Sequence, residues 1–127
     1  MYSKTTNSVS ITVKPAPIEE QSSPHEGVYA FSYNIQIENL GEETVQLLER
    51  HWIINSGGNP FDEVVGDGVV GMQPILEQGQ KFEYTSGAVI EDPVGSMLGT
   101  YTMRTSSGKF IEIEIPQFEL VYPNQLH

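Results

Sequence analysis

The residues best equipped for chemistry in this chain lie between Val45 and Pro74. Arg50, His51 and Trp52 stand side by side, and Gly66, Gly68 and Gly71 form a Gly-x-Gly-x-x-Gly string. A guanidinium grips an anion through two parallel hydrogen bonds. A glycine string of this spacing is the fingerprint of a turn that lets backbone approach a pyrophosphate. Arg50 with Gly66, Gly68 and Gly71 is therefore a candidate ligand site for a nucleotide or pyrophosphate. The fingerprint also needs a helix opening on its last glycine, because the helix N-terminus supplies the field that holds phosphate. Here Pro74 and Gly79 interrupt the segment that follows, and Asp67 inside the string repels a pyrophosphate. Glu91 stands 20 residues after Gly71, but within a loop-like Ile90-Glu91-Asp92-Pro93. Three readings stay open: a pyrophosphate turn, a nest of backbone amides that holds an anion, and a structural hairpin or bulge. Alternation along a strand puts Arg50 and Trp52 on one face and His51 on the other. The plain alternative for Arg50 is an ion pair with a carboxylate such as Glu49 or Glu83.

Other chemistry finds less support. His25, His51 and His127 lack metal-ligand spacing, and the chain has no Cys to complete a zinc site. Glu112 and Glu114 share a strand face, which reads more simply as a solvated face than as a magnesium site. Ser22, Ser86 and Ser96 have no His-Asp context, and no Gly-x-Ser-x-Gly elbow occurs. No catalytic residue, metal ligand or cofactor is expected. One apolar feature remains. If the loops around Gly66–Gly71 and Ile90–Met97 meet at one end of the fold, then Val69, Val70, Met72, Val94 and Met97 form an exposed patch suited to a protein partner.

The elements that must position these residues are strands. Tyr29, Phe31, Tyr33, Ile35 and Ile37 alternate with small or polar neighbours over five repeats. Val9, Ile11 and Val13 do the same, as do Ile111, Ile113 and Ile115 against Glu112 and Glu114. Val45 to Ile54 is strand-like but apolar on both faces, so its phase is ambiguous. Lys81–Val89, Gly99–Thr105 and a short Phe118–Tyr122 complete the set. Asn39-Leu40-Gly41, Ser56-Gly57-Gly58-Asn59-Pro60, Gln78-Gly79 and Ser106-Ser107-Gly108 carry turn chemistry. Glu42–Arg50 is the best helical window, and it is too short and too β-branched at its ends. The expectation is an all-β, antiparallel β-sandwich of seven to eight strands, fibronectin type III-like or immunoglobulin-like, with Trp52 central between the sheets. An immunoglobulin-type domain pins such a Trp against a disulfide, which this chain cannot form.

The 127 residues suffice for one domain, 1–127, with residues 1–8 and 123–127 as flexible ends. Seventeen acids against six bases give a net charge of -11, and the six bases are scattered, which excludes nucleic acid and an anionic membrane as partners. No apolar run approaches the roughly 18 residues of a membrane span. The N-terminus has no signal-peptide pattern, so a cytoplasmic location is expected.

Several motifs resemble one known family. They are Glu20-Gln21-Ser22-x-Pro24, then Tyr29-x-Phe31-x-Tyr33-x-Ile35-x-Ile37-x-Asn39-x-Gly41, then Gln46-Leu47-Leu48-x-Arg50-His51-Trp52-x-Ile54. Gly66-x-Gly68-Val69-Val70-Gly71-x-Gln73-Pro74, Phe82-x-Tyr84-Thr85-Ser86-Gly87, Gly95-x-Met97-x-Gly99-x-Tyr101-x-Met103 and Ile115-Pro116-x-Phe118-x-Leu120 follow in order. In these the chain resembles the ApaG family over nearly its whole length. The resemblance implies a fibronectin type III-like sandwich and a non-enzymatic role as a protein-binding or adaptor domain, with a link to cobalt and magnesium efflux. It is broken at Asn55-Ser56-Gly57, where many relatives carry an acid.

Overall fold

The computed structural model describes residues 1–123. Nine strands follow one another: β1 (Tyr2–Thr6), β2 (Val9–Pro17), β3 (Tyr29–Asn39), β4 (Val45–Ser56), β5 (Asn59–Asp67), β6 (Ile75–Leu76), β7 (Lys81–Ile90), β8 (Val94–Thr105) and β9 (Phe110–Val121). Two single 3₁₀ turns, Glu19–Gln21 and Pro24–Glu26, separate β2 from β3. One sheet runs β1-β2-β3-β7; the other runs β5-β4-β8-β9, with β6 beside β4. Every pairing is antiparallel, and the two sheets enclose one core.

From Phe31 onward the alternation of β3 is realised as expected: Phe31, Tyr33, Ile35 and Ile37 are buried while Ser32, Asn34, Gln36 and Glu38 face out; Ala30, expected among the outward residues, is buried. In β4 the phase ambiguity has a physical cause. A bulge at Leu48 slips the β4–β8 register between Leu47 and Glu49. Val45 and Leu47 point inward before it; after it Arg50, Trp52, Ile54 and Ser56 do. One extra residue reverses the faces, so no single period fits the segment. Trp52 lies between the sheets, 5.3 Å from Tyr33 and edge-on to Phe118 at 5.9 Å between ring centroids. Each such burial stabilises the fold by about 1.5–3 kcal/mol.

Three expectations need correction. The segment assigned to a flexible end, residues 1–8, holds β1, paired residue for residue with β2 from Tyr2–Val13 to Thr6–Val9. Its hairpin turns through Asn7 and Ser8, both with positive φ, as a two-residue connection requires. The strand count is nine rather than seven to eight, because β1, β5 and β6 add to it while Phe118–Tyr122 merges into β9. Val94–Met97, read as part of a loop, opens β8. Residues 124–127, the rest of the expected C-terminal flexible end and the place of His127, lie outside the described residues.

Candidate functional site

Strand β4 has two neighbours on one edge. β5 pairs with it from Ser56 to Glu49, and β6 pairs with it at Val45 and Gln46. The glycine string fills the gap between them. Gly66 is still in β5; the chain then leaves the sheet at Gly68 and returns at Ile75. The bulge at Leu48 faces this excursion. Its carbonyl accepts from the Gly68 N–H at 2.8 Å and from Gln73 Nε2 at 3.0 Å, and Leu47 N–H donates to Pro74 O at 3.0 Å.

The tip is a closed two-residue turn. Val69 N–H donates to Met72 O and Met72 N–H donates to Val69 O, both at 2.8 Å. Its central residues, Val70 (φ 43°) and Gly71 (φ 78°), are both left-handed, the signature of a type I′ turn. Glycine is natural there; a β-branched valine is not. Gly68 is required by space as well as by its φ of 64°, since a Cβ there would lie 2.3 Å from Met72 O. No helix follows the string, so the reading as a helix-opening pyrophosphate turn fails. A structural turn is what forms.

Arg50 does not form the ion pair weighed for it. Its Nη1 donates to the carbonyls of Asp67 and Gly68, both at 3.0 Å. The guanidinium crosses over Gly66, where an added Cβ would lie 2.9 Å from Nη1. Arg50 thus ties the glycine string to β4 through backbone oxygens. Glu49 and Glu83 are not its partners; among the described residues the ion pairs are Lys4–Glu114 and His51–Glu63. His51 lies on the opposite face from Trp52, with Nε2 2.5 Å from Glu63 Oε2.

Behind Arg50 lies a set of buried phenols. Tyr84 of one sheet and Tyr101 of the other meet hydroxyl to hydroxyl at 2.5 Å. Burial pushes both phenols above their usual range, and burial likewise raises Tyr33, against the opposing pull of a Ser86 hydrogen bond and the Arg50 charge.

The apolar patch is rearranged. Val69 is 1% exposed and anchors the turn in the core, while Val70 is 55% exposed at the tip. Met72 and Ile75 are also exposed. Beside Ile75 a groove of about 200 Å³ is lined by Gln46, Arg104 and Thr105 among others. Met97 is 1% exposed and belongs to the core, so it leaves the patch. Val94 is exposed but remote. It pairs with Val121 beyond the Ser56 end of β4, whereas the glycine string meets β4 at Leu48–Arg50. At about 3.3 Å per residue, that is about 20 Å along the strand. The two loops are not neighbours, and the surface to consider is Val70, Met72 and Ile75.

Glu114 pairs with Lys4, and Glu112 accepts from Thr102 Oγ1 at 3.4 Å. No three His, Cys, Asp or Glu side chains are placed to hold a metal among the described residues, and no helix there is long and apolar enough to cross a membrane. Sequence reasoning missed a clamp at the other end of β4. Ser56 Oγ donates to Asp92 Oδ2 at 2.7 Å and accepts from the N–H groups of Asp92 and Glu91. Asp92 thereby supplies, from another turn, an acid beside Gly57 that the local sequence lacks.

Residues 19–105 match the ApaG domain family. The chain is 48% identical over 124 residues to Protein ApaG of Dechloromonas aromatica, covering 96% of this chain and 98% of that protein. It is 45% identical over 125 residues to Protein ApaG of Paramagnetospirillum magneticum, covering 98% and 96%. A crystal structure described as the ApaA protein of Bordetella pertussis superposes with a TM-score of 0.88 at 41% identity, over 92% of this chain and 95% of that one. A protein from Archaeoglobus fulgidus, at 6% identity and a TM-score of 0.53 over 89% and 97%, shares the fold alone.

Proposed function

The chain belongs to the ApaG family, and we propose that it acts as a non-enzymatic protein-binding module in the cytoplasm, docking its partner on Val70, Met72 and Ile75. The observation that carries this reading is the way the tip is held. Val69 is sunk in the core, Gly68 is locked against Met72, and Arg50 fixes the carbonyls of Asp67 and Gly68. An exposed valine in a strained backbone conformation costs stability, and such strain collects at binding sites. A rigid apolar tip loses little conformational freedom when a partner covers it. The alternative, a nucleotide or pyrophosphate sensor at Gly66–Gly71, has less to work with. The amides of Gly68, Val69 and Met72 are already bonded to carbonyls, and so is Nη1 of Arg50. The family link to cobalt and magnesium efflux fits a regulatory contact with another protein.

The test is affinity capture with the wild type and with Val70→Asp and Met72→Asp, each confirmed folded by circular dichroism. Loss of a saturable partner in both variants is expected. A partner bound with unchanged affinity by both would reject the tip as the docking surface.

A further inference from the structure

The sandwich has four free strand edges, and three are protected in part. β1 is five residues long, and its Lys4 pairs with Glu114. β9 has three backbone groups taken by side chains of the β1 hairpin: Asn7 Nδ2 donates to Glu112 O at 3.0 Å, Glu114 N–H donates to Thr6 Oγ1 at 3.4 Å, and Glu119 N–H donates to the Tyr2 hydroxyl at 3.2 Å. β5 caps itself. Glu63 N–H donates to Asp62 Oδ1 at 2.8 Å, Arg50 covers Asp67 O, and Pro60 has no N–H.

β7 has none of this. Asn39 N–H donates to Gln80 O and Asn39 O accepts from Gly79 N–H, so the Asn39 backbone faces β7. Antiparallel alternation from that point directs Phe82, Tyr84, Ser86, Ala88 and Ile90 toward β3. The N–H and C=O groups of Glu83, Thr85, Gly87 and Val89 then point out of the sheet, and no group among the described residues takes them. The strand has ten residues, no proline, no register shift, and no charge from Tyr84 to Ile90. Long, regular, bare edges of this kind are what natural proteins avoid unless something pairs with them.

Tyr84 of β7 reaches Tyr101 of β8, two strands in from β5. β5 therefore overhangs the edge of the other sheet. Val64 of β5 and Phe82 and Ala88 of β7 are left only partly buried. We infer that β7 is the docking edge for an extended, basic segment of a partner protein, which adds a strand beside Glu83–Val89 and lays alternate apolar side chains over Phe82 and Ala88. Basic residues suit it because Glu83 stands on this edge in a chain of net charge -11. A second copy does not fit, since the overhanging β5 strands of two copies would collide in a β7–β7 pair. The inference rests on the protein-binding reading but uses a surface separate from the Val70 tip.

The test is an amide chemical-shift titration of labelled protein with the peptide Lys-Val-Lys-Val-Lys-Val-Lys. Saturable shifts at Glu83, Thr85, Gly87 and Val89 are expected, with about tenfold slower hydrogen exchange at those amides in the complex. Thr85→Pro, which removes an outward N–H, and the double variant Thr85→Lys/Val89→Lys, whose side chains lie outside the core, should each abolish the shifts; Val70→Asp should retain them. The double variant keeps the test decisive if the proline variant fails to fold. Unchanged binding by the double variant, shifts confined to Val70–Ile75, or a flat response at millimolar peptide would each overturn the edge assignment. Those results leave capture at the Val70 tip to be decided by its own variants. Concentration-dependent protection of the β7 amides without peptide would assign the edge to a second copy and overturn it too.

Discussion

The two flanks of the sandwich are built from similar strands and finished differently. On the flank where β1 and β2 meet β9, the sheets approach closely and the inward residues Val9, Ile11, Val13, Ile113, Phe118 and Leu120 are fully buried. The hairpin of β1 wraps this flank and bonds the free edge of β9 through Tyr2, Thr6 and Asn7. On the opposite flank β5 overhangs, β7 is bare, and Val64, Phe82 and Ala88 remain partly open. The same flank carries the strained Val70 tip. The difference teaches that the closed flank carries stability and the open flank carries recognition, since exposed edges and strained turns persist where another molecule covers or uses them.

The sharpest way to break this contrast is to truncate one residue on each flank. Phe118→Ala, which removes a ring packed on Trp52, Tyr33 and Tyr2, should cost about 3–5 kcal/mol in urea denaturation, and Val64→Ala only about 1 kcal/mol. Similar losses would erase the distinction. Tyr84→Phe should cost about 1–3 kcal/mol by leaving the Tyr101 hydroxyl buried without its partner. It also probes pH. A phenol is neutral when protonated, and burial raises Tyr33, Tyr84 and Tyr101 above 10.0. The folded state therefore holds these protons more tightly than the unfolded chain. The stability this adds is complete below pH 10 and is lost as pH rises above it through the folded values. Denaturation midpoints followed upward from neutral pH should fall steeply in the wild type and less steeply in Tyr84→Phe; parallel curves would contradict the buried pair.

Smaller effects sharpen the contrast. Val70→Gly should raise stability by about 1 kcal/mol by relieving the left-handed valine, while weakening partner capture. A destabilised variant would mean that the turn is held differently. Lys4→Ala should cost less than about 1 kcal/mol, because both members of its ion pair are half exposed. A larger loss would make the charge pair, rather than the hydrogen bonds of Thr6 and Asn7, the fastening of β1.

Much of the closed flank was legible in the sequence, since β2, β3 and the Ile111–Ile115 part of β9 alternate strictly between one buried and one solvated face. The open flank was not. β5 reads Asn-Pro-Phe-Asp-Glu-Val-Val-Gly-Asp, with no alternation between an apolar and a polar face, because an edge strand overhanging the core buries little. Gly68 and Gly71 announce a turn. Nothing in the sequence tells Val69 from Val70, though one is core and the other surface, because the turn that separates them is set by Leu48 and Met72. The role of Arg50 was hidden for a similar reason. Its partners are backbone carbonyls, which every residue has. The phase of β4 was masked by its bulge, and the placement of Met97 followed from reading Val94–Met97 as loop rather than as the start of β8.

The most direct measurement is native-state hydrogen exchange read amide by amide. Glu83, Thr85, Gly87 and Val89 should exchange near the rates of unprotected backbone. Tyr84, Ser86 and Ala88 in the same strand, and Glu114 and Glu119 on the capped edge of β9, should be about tenfold slower or more. Equal protection on both edges would mean that the flank described as open is closed, and the division between a stability flank and a recognition flank would fall.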